Sequence, residues 1–476
     1  MTQAELLAEN KKLKNRIADL EQEVERLGKQ LKEALAQLEA KGRAGKRQAA
    51  PFSKGQKKSK PKRPGRKKGH QAAHRAKPDK VDEEREAALR QSRCLHCGGR
   101  LSEARIEQQY QIDIPPVEPV VTQFNIEVAQ CTECGRQAQG RHPEQTSAGL
   151  GPTAVHFGPR VLGLSAEMKH ALGVPYRKVC HILTEGFGFS ASAGGLARAG
   201  QRLAKKAEPT YDQLIFSLQQ QEVVYADETG WKINGDNAWL WVFTSEQVTL
   251  YTIDPRRAGE VAERILGRDF EGVLTCDCLL AYNPLPYRQQ KCLAHLLRRC
   301  SDMAEQPRPE SAIVLSQQVT RLLRAAISLK QQKEEHPPWL YAQACARLEQ
   351  ALDRLLAQAG QPEDDAARRL VKLLRKQHQR LFTFLYHEPV QPTNNAAERA
   401  IRPAVIVRKT SAGNRSQAGA KTHAIITSLW QTCQQQGRDF LAVVTTLLRQ
   451  PTPTPLSLIP ADPIDSLSEG SSRPVA

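Results

Sequence analysis

The stretch "VVYADETGWKING", Val223 to Gly235, decides the fold. Val223, Val224 and Tyr225 are β-branched or aromatic and read as a buried strand. The run ends on Asp227, with Glu228 beside it. An acid at the end of a buried strand either caps the strand and faces water, or it has a chemical task. Which of the two holds depends on whether other carboxylates converge on the same point.

Downstream, "NAWLWVFTS" and "VTLYTIDP" read as two further strands, joined by short polar turns of Gly-Asp-Asn and Ser-Glu-Gln character. "RRAGEVAERILG" reads as a helix, and "GVLTCDCLLAYNPL" as a short apolar strand that again ends on an acid, Asp277. Three strands, a helix and a fourth strand is the order that opens an RNase H-like fold. In that fold the first and fourth strands are neighbours, so Asp227 and Asp277 are expected side by side at their ends. Two carboxylates so placed do not ionise together without a cation between them. A fifth strand is expected in "QQKCLAHLL". Cys276 and Cys278 point away from Asp277 by strand alternation, which argues against a second metal cluster with Cys292. Trp239 and Trp241 are core candidates.

A third acid stands in "QPTNNAAERAIRPAVIVRKTSAGN". Asn394, Glu398 and Arg402 follow at helical spacing and share one face. The same letters also allow a capping box, with Asn395 as N-cap and Glu398 as its partner. Pro403 is expected to bend or shorten this helix. Arg399, Arg402, Arg408 and Lys409 are candidates for binding phosphate beside the acid, a function that a mere cap does not need. Between the fifth strand and this helix, from about Cys300 to His387, Leu, Ala, Arg and Gln predominate, which predicts an α-helical insertion with Leu stripes as core. Arg368, Arg369, Lys372 and Arg375 could give it a DNA-facing side.

The N-terminal third has a different character. Leu6, Leu13, Leu20, Leu27 and Ala34 repeat at one heptad position, and Asn10, Ile17, Val24, Leu31 and Leu38 at the other. That pattern predicts a parallel two-stranded coiled coil, hence a homo-oligomer. "KGRAGKRQAAPFSKGQKKSKPKRPGRKKGHQAAHRAKPDK" follows, too basic and too poor in apolar residues to fold alone, and suited to releasing counterions from phosphate. Cys94 and Cys97, then Cys131 and Cys134, form two C-x-x-C pairs, each followed by glycine. Each spacing lets two thiolates reach one ion, and the glycine permits a turn whose amides point back at sulfur. The expectation is a zinc ribbon with structural Zn2+. Beyond it, "VPYRKVCHILTEGFGFSASAGGLARAGQRLAKKAEP" predicts a helix with Val179, Ile182 and Leu183 inward, a glycine turn, and a second helix capped by Ser190. This is helix-turn-helix spacing with basic residues on the second element.

Composition agrees with a polyanionic partner. The 476 residues carry 69 Lys and Arg against 51 Asp and Glu, a net charge of +18. No apolar run approaches the roughly 20 residues of a membrane span. The charged N-terminus does not resemble a signal peptide, which points to a cytosolic protein. Eleven cysteines in that compartment are expected to be thiols or metal ligands rather than disulfides. P-loop, zincin and nucleophile-elbow motifs do not occur, so ATP use, metalloprotease and serine-hydrolase chemistry have no support.

The chain resembles, over nearly its full length, the bacterial transposases of the insertion sequence 66 family. The resemblance rests on "PGRKKGH", the paired C-x-x-C ribbon, "ADETGW", "NAWLWVF", "CDCLLAYN", "KCLAHLLRR" and "NNAAERAIRPAVIVRKT". It implies that Asp227, Asp277 and Glu398 take the places of a DDE triad. It further implies two Mg2+ (or Mn2+) ions roughly 3.5–4 Å apart, bridged by Asp227 with one each completed by Asp277 and Glu398. Cys292 and His295 match a C-x-x-H string that follows the second Asp in related transposases. Arg66, Lys67, Lys68, His295, Arg299, Arg399, Arg402, Arg408 and Lys409 are the DNA-binding candidates.

The implied activity is hydrolysis of phosphodiester bonds at the element's terminal inverted repeats, followed by strand transfer into target DNA. Double-stranded DNA is the partner, small companion proteins are possible helpers, and the bacterial nucleoid is the implied location. A catalytically inactive, dimeric zinc-ribbon DNA-binding protein derived from a transposase is the alternative.

The expected fold is thus multidomain α+β. Its segments are a coiled-coil helix (1–40), a basic arm (41–82), a zinc ribbon (83–145) and a helix-turn-helix-like region (146–220). An RNase H-like α/β core (221–299 and 389–450) follows, divided by the helical insertion (300–388), and a disordered tail (451–476) closes the chain.

Overall fold

The computed structural model describes residues 75–459. The coiled-coil segment, the basic arm through residue 74 with Arg66, Lys67 and Lys68, and the tail beyond 459 lie outside the described residues. The described chain divides into two compact units between Ile114 and Pro115, inside the segment read as a ribbon.

In the first unit, the isolated bridge Arg93–Arg100 closes the turn that carries Cys94 and Cys97. In the second, the hairpin of β1 (Val128–Gln130) and β2 (Gln137–Gln139) carries Cys131 and Cys134.

A mixed five-stranded sheet organises the second unit. Its strands are β3 (Val223–Ile233), β4 (Asp236–Thr244), β5 (Thr249–Asp254), β6 (Val273–Cys276) and β7 (Arg288–Lys291). Their order is β5-β4-β3-β6-β7. β3, β4 and β5 are antiparallel, whereas β6 runs parallel to β3 and β7 parallel to β6. The first and fourth strands of this sheet are therefore neighbours, as expected.

Two details differ from expectation. β3 does not stop at Asp227 but continues to Ile233, because Trp231 and Ile233 are buried and carry the alternation onward. Its turn into β4 is the dipeptide Asn234-Gly235, with φ of 53° and 90°, rather than Gly-Asp-Asn. Both residues are left-handed, as a two-residue hairpin with the native strand twist requires. The quoted fifth strand also ends early. Only Arg288–Lys291 is extended, and Leu293 opens a helix whose Leu296, Cys300 and Met303 return to the core at helical spacing.

The helices are α1 (Pro159–Ala166), α2 (Tyr176–Phe187), α3 (Ala193–Gln219) and α4 (Gly259–Leu266) before β6. After β7 come α5 (Leu293–Ala304), α6 (Glu310–Gln331), α7 (Pro338–Ala359), α8 (Asp365–Gln377) and α9 (Thr383–Tyr386). Finally come α10 (Asn395–Ser411), α11 (Gln417–Gln435) and α12 (Phe440–Arg449). The interval expected to be a helical insertion is helical, and its Leu stripes are core.

The sheet separates two apolar layers. Val223, Tyr225, Trp231, Leu240 and Val242 pack on one side against α5 to α8 and α10. Val224, Ala226, Trp241 and Phe243 pack on the other against α3, α4, α11 and α12.

The segment from α1 to α3 forms a helical hairpin with a small core of Met168, Val179, Leu183 and Leu196. Gly188 ends α2 in the left-handed conformation, φ 60°. The cap of α3 is Ser192, which accepts from the Gly195 amide, and not Ser190. Ile182 faces out. α3 is 27 residues long and passes through Pro209, burying Leu203, Ala207, Leu214 and Leu218 along its length. Lys206, one of its basic residues, donates to the carbonyls of Leu448 and Gln450 at the C-terminal end of α12.

The tail is ordered as far as it is described. Leu458 is buried in the second layer, and the Leu456 amide donates to Thr210 Oγ1 at 3.0 Å. Residues 451–459, the described part of the segment expected to be a disordered tail, thus reach the second layer without regular secondary structure.

Candidate active site

Strand alternation places Asp227 and Glu228 on opposite faces of the sheet. Asp227 stands opposite Val242 and Glu228 opposite Trp241, which belong to the two different layers. Asp227 thus shares the face on which α10 packs. β6 pairs with β3 only over Val223–Tyr225, so Asp227 lies just past the end of that ladder. Asp277 follows directly on the last residue of β6, and its Oδ1 accepts from the Leu279 amide at 2.8 Å. Glu398 comes from the first turn of α10.

The three acids feel one another. Burial first, then Glu228, Asp277 and Glu398, push the Asp227 carboxyl up to about 7, against the pull of the Glu228 amide on Oδ1 at 2.9 Å.

Behind the sheet, Glu228 is buried in a network of its own. Arg257 Nη2 donates to its Oε1 at 2.7 Å, and the Tyr282 hydroxyl donates to Oε2 at 2.7 Å. Arg257 in turn lies 4.4 Å from the centroid of the Trp239 ring. Burial and Asp277 raise the Glu228 carboxyl, while Arg257 and Tyr282 oppose them. The sequence reading allowed Glu228 to cap the strand end or face water, yet two consecutive acids within a strand must fall on its two faces.

Asn394 explains how α10 is held. Its side-chain amide donates to the Ala226 carbonyl at 2.7 Å, one residue before Asp227 and just past where β6 stops pairing. Its backbone amide donates to Cys292 Sγ at 3.2 Å. Asn394 occupies the N-cap position without making a side-chain cap bond, so the capping-box reading with Asn395 does not hold. The helix continues through Pro403 to Ser411, held by buried Ala400, Ile401, Ala404 and Val407.

Cys292, His295 and Glu398 meet beside the aspartates, with one ligand atom from each within 4.8 Å of the others. His295 Nε2 stands 3.7 Å from Glu398 Oε1. Burial pushes the Cys292 thiol up, but His295 and the Asn394 amide outweigh it and hold the thiol below its ordinary value. The Cys292 side chain in turn raises His295. His295, expected on DNA, is thus half-buried among site residues. Cys276 is instead paired with the buried Lys291, Nζ to Sγ 3.3 Å.

The expected phosphate-binding cations separate into two groups. Arg408 Nη1 donates to Thr229 Oγ1 at 2.7 Å and to the Gly230 carbonyl at 2.6 Å, fastening α10 to β3. Arg299, Arg399, Arg402 and Lys409 are exposed. Arg399 lines an open cleft of about 790 Å³ with Glu222, Tyr225, Thr393 and Asn395.

Each C-x-x-C pair forms the expected turn. Gly98 and Gly135 are left-handed, at φ 73° and 70°. The amides of Cys97 and His96 hold the Cys94 thiol below its usual value, and those of Cys134 and Glu133 do the same for Cys131. Among the described residues, no helix is long and apolar enough to cross a membrane.

The class this chain presents is a mixed sheet, helix-covered on both faces, with an acid within its central strand, one just past the end of the neighbouring strand and one in the first turn of α10. Residues 154–422 match the model of the Transposase IS66 family, and all three acids fall within them; the chain belongs to this family. Two curated relatives from Sinorhizobium fredii, printed as "Uncharacterized protein y4qI" and "Uncharacterized protein y4jD", are 27% and 24% identical to it. Each match covers 59% of this chain, and they span 57% and 60% of the relatives' own lengths.

Proposed function

We propose that this chain is a DDE-type DNA transposase with an RNase H-like catalytic core. It binds the terminal inverted repeats of an insertion sequence, hydrolyses phosphodiester bonds at the element ends, and transfers the freed strand to target DNA. The observation that carries this reading is Asp227 buried beside acids from β6 and α10: burial first, then Glu228, Asp277 and Glu398, raise its carboxyl to about 7. Family membership and a sheet with its first and fourth strands adjacent support it.

The donor set fits hard divalent cations, being oxygen-only and over-charged when empty of metal. Asp227, Asp277 and Glu398 would hold the Mg2+ (or Mn2+) ions, which supply an activated oxygen nucleophile and charge neutralisation at the leaving oxygen. The remaining tasks fall to the chain. Asn394 and Arg408 fasten α10, which carries Glu398, to β3, and the Glu228–Arg257–Tyr282 network braces β3 from behind. Arg299, Arg399, Arg402 and Lys409 offer exposed positive charge to phosphates. The basic arm with Arg66, Lys67 and Lys68 adds sequence-independent grip, and the pairs Cys94/Cys97 and Cys131/Cys134 are ligands for structural Zn2+. The N-terminal heptads dimerise the chain on nucleoid DNA, where small companion proteins can join it.

Replacing Asp227 by Asn tests the reading. The variant should retain binding to duplexes carrying the terminal repeats and lose magnesium-dependent nicking and joining. Nicking that survives in Asp227→Asn refutes the assignment. Binding by the unaltered chain without any metal-dependent nicking leaves the inactive DNA-binding alternative.

A further inference from the structure

Cys292, His295 and Glu398 bring a thiol, an imidazole and a carboxylate to one place, with their ligand atoms within 4.8 Å of one another. Cys292 joins β7 to α5, His295 lies one turn further along α5, and Glu398 lies in the first turn of α10. Two bonds lock these segments together. The Leu293 amide donates to the Pro392 carbonyl at 2.9 Å, and the Asn394 amide donates to Cys292 Sγ at 3.2 Å.

Hydrogen bonding does not use up the donor set. Glu398 Oε1 and His295 Nδ1 are buried without a hydrogen-bond partner among the described residues. A buried polar atom left unpaired costs about 1–3 kcal/mol, so Glu398 Oε1, set beside a thiol and an imidazole, calls for a partner.

We infer that Cys292, His295 and Glu398 bind one thiophilic divalent cation of the zinc class. Sulfur and imidazole are ligands that zinc takes readily and magnesium avoids. Zinc bonds of about 2.0–2.3 Å require donors about 3.3–3.8 Å apart in a tetrahedron. His295 Nε2 stands 3.7 Å from Glu398 Oε1, which makes Nε2 the ring nitrogen placed for the ion, and side-chain adjustment of about 1 Å closes the rest. Three protein ligands leave a fourth position for water. Glu398 belongs to both groups, so zinc here competes for the carboxylate that magnesium needs; that consequence alone rests on the proposed function.

The test counts zinc in the full chain after loading in excess magnesium and gel filtration, by elemental analysis and without DNA. The ribbon cysteines take zinc of their own, so the readout is a difference between variants. The unaltered chain should hold one zinc per chain more than Cys292→Ser, and His295→Ala should lose the same equivalent. The difference should persist in a Cys94→Ser background. With cadmium as probe, the thiolate-to-metal absorption should fall by a single thiolate's share in Cys292→Ser.

Equal zinc in the unaltered chain and in His295→Ala, with unchanged far-ultraviolet circular dichroism, overturns the site. It then leaves Cys292 and His295 as hydrogen-bonding supports. His295 is half-buried, so that variant keeps the test decisive if Cys292→Ser does not fold. The two proposals fail separately, because zinc counting reads no cleavage and nicking by the magnesium-loaded chain reads no zinc.

Discussion

Asp227 titrates in a window that makes its burden measurable. Its ordinary value is 3.8, and in the folded chain burial and its acidic neighbours push it up to about 7. Between those values the unfolded chain has released a proton that the folded chain still holds, so stability falls as pH rises and levels off above about 7. The loss is on the order of a few kcal/mol. In the presence of a chelator, Asp227→Asn should therefore melt higher than the unaltered chain at pH 8, with the gap closing towards pH 4. Magnesium should raise the melting temperature of the unaltered chain and leave the variant unmoved. Cation binding must displace that proton, so apparent magnesium affinity should climb about tenfold per pH unit below 7 and flatten above it. Equal melting temperatures of the two chains at pH 8 would contradict this account. The acids themselves were legible because each closes or continues an apolar run. The separate placement of Glu228 was not, since it required knowing that the strand continues past it.

Among the elements, α10 decides whether the third acid reaches the other two. Arg408 was expected on phosphate, but its guanidinium bonds Thr229 and Gly230 on β3. Arg408→Ala should lower the unfolding free energy by about 1–3 kcal/mol in urea titrations without DNA, with Arg408→Lys recovering part of it. An unchanged midpoint would return Arg408 to the list of DNA contacts. Helical and strand periods made most elements legible, including the insertion, because burial repeats at 3.6 or 2 residues. The role of Asn394 was hidden for a physical reason. It depends on β6 ceasing to pair at Tyr225, which leaves the Ala226 carbonyl for a side chain from another element. No local pattern in "QPTNNAAER" encodes where a distant ladder stops.

At the scale of the molecule, a buried histidine pair joins the helical hairpin to the sheet-covering layer. His170, from the π-helical turn Glu167–Ala171, lies with Nδ1 3.0 Å from Nδ1 of His423 on α11. His423 stacks on Trp231 of β3 with 5.2 Å between ring centroids. Burial holds His423 down to about 3, and burial together with His423 and Lys169 holds His170 well below its ordinary range. Below the unperturbed value of 6.5 the unfolded chain takes up protons that the folded chain refuses, so this pair removes stability as pH falls from 6.5 towards 3. That slope is opposite to the one from Asp227, and variants separate them. His423→Gln should flatten the acid-side loss seen in thermal melts between pH 6.5 and 4, whereas Asp227→Asn should steepen the net loss. An unaltered acid slope in His423→Gln would remove the pair from the explanation. None of this was visible in the linear text, where the two histidines are 253 residues apart.

The Asn234-Gly235 hairpin has a consequence seven residues away. With side chains alternating, a shift of one residue between β3 and β4 would turn Asp227 towards Tyr282 and swing Glu228 out to meet α10. Such a misaligned chain would keep every acid it needs and aim the wrong one. A dipeptide seven residues distant thus sets which acid faces α10, and lengthening it by one residue should abolish the proposed metal-dependent nicking while leaving the acids in place.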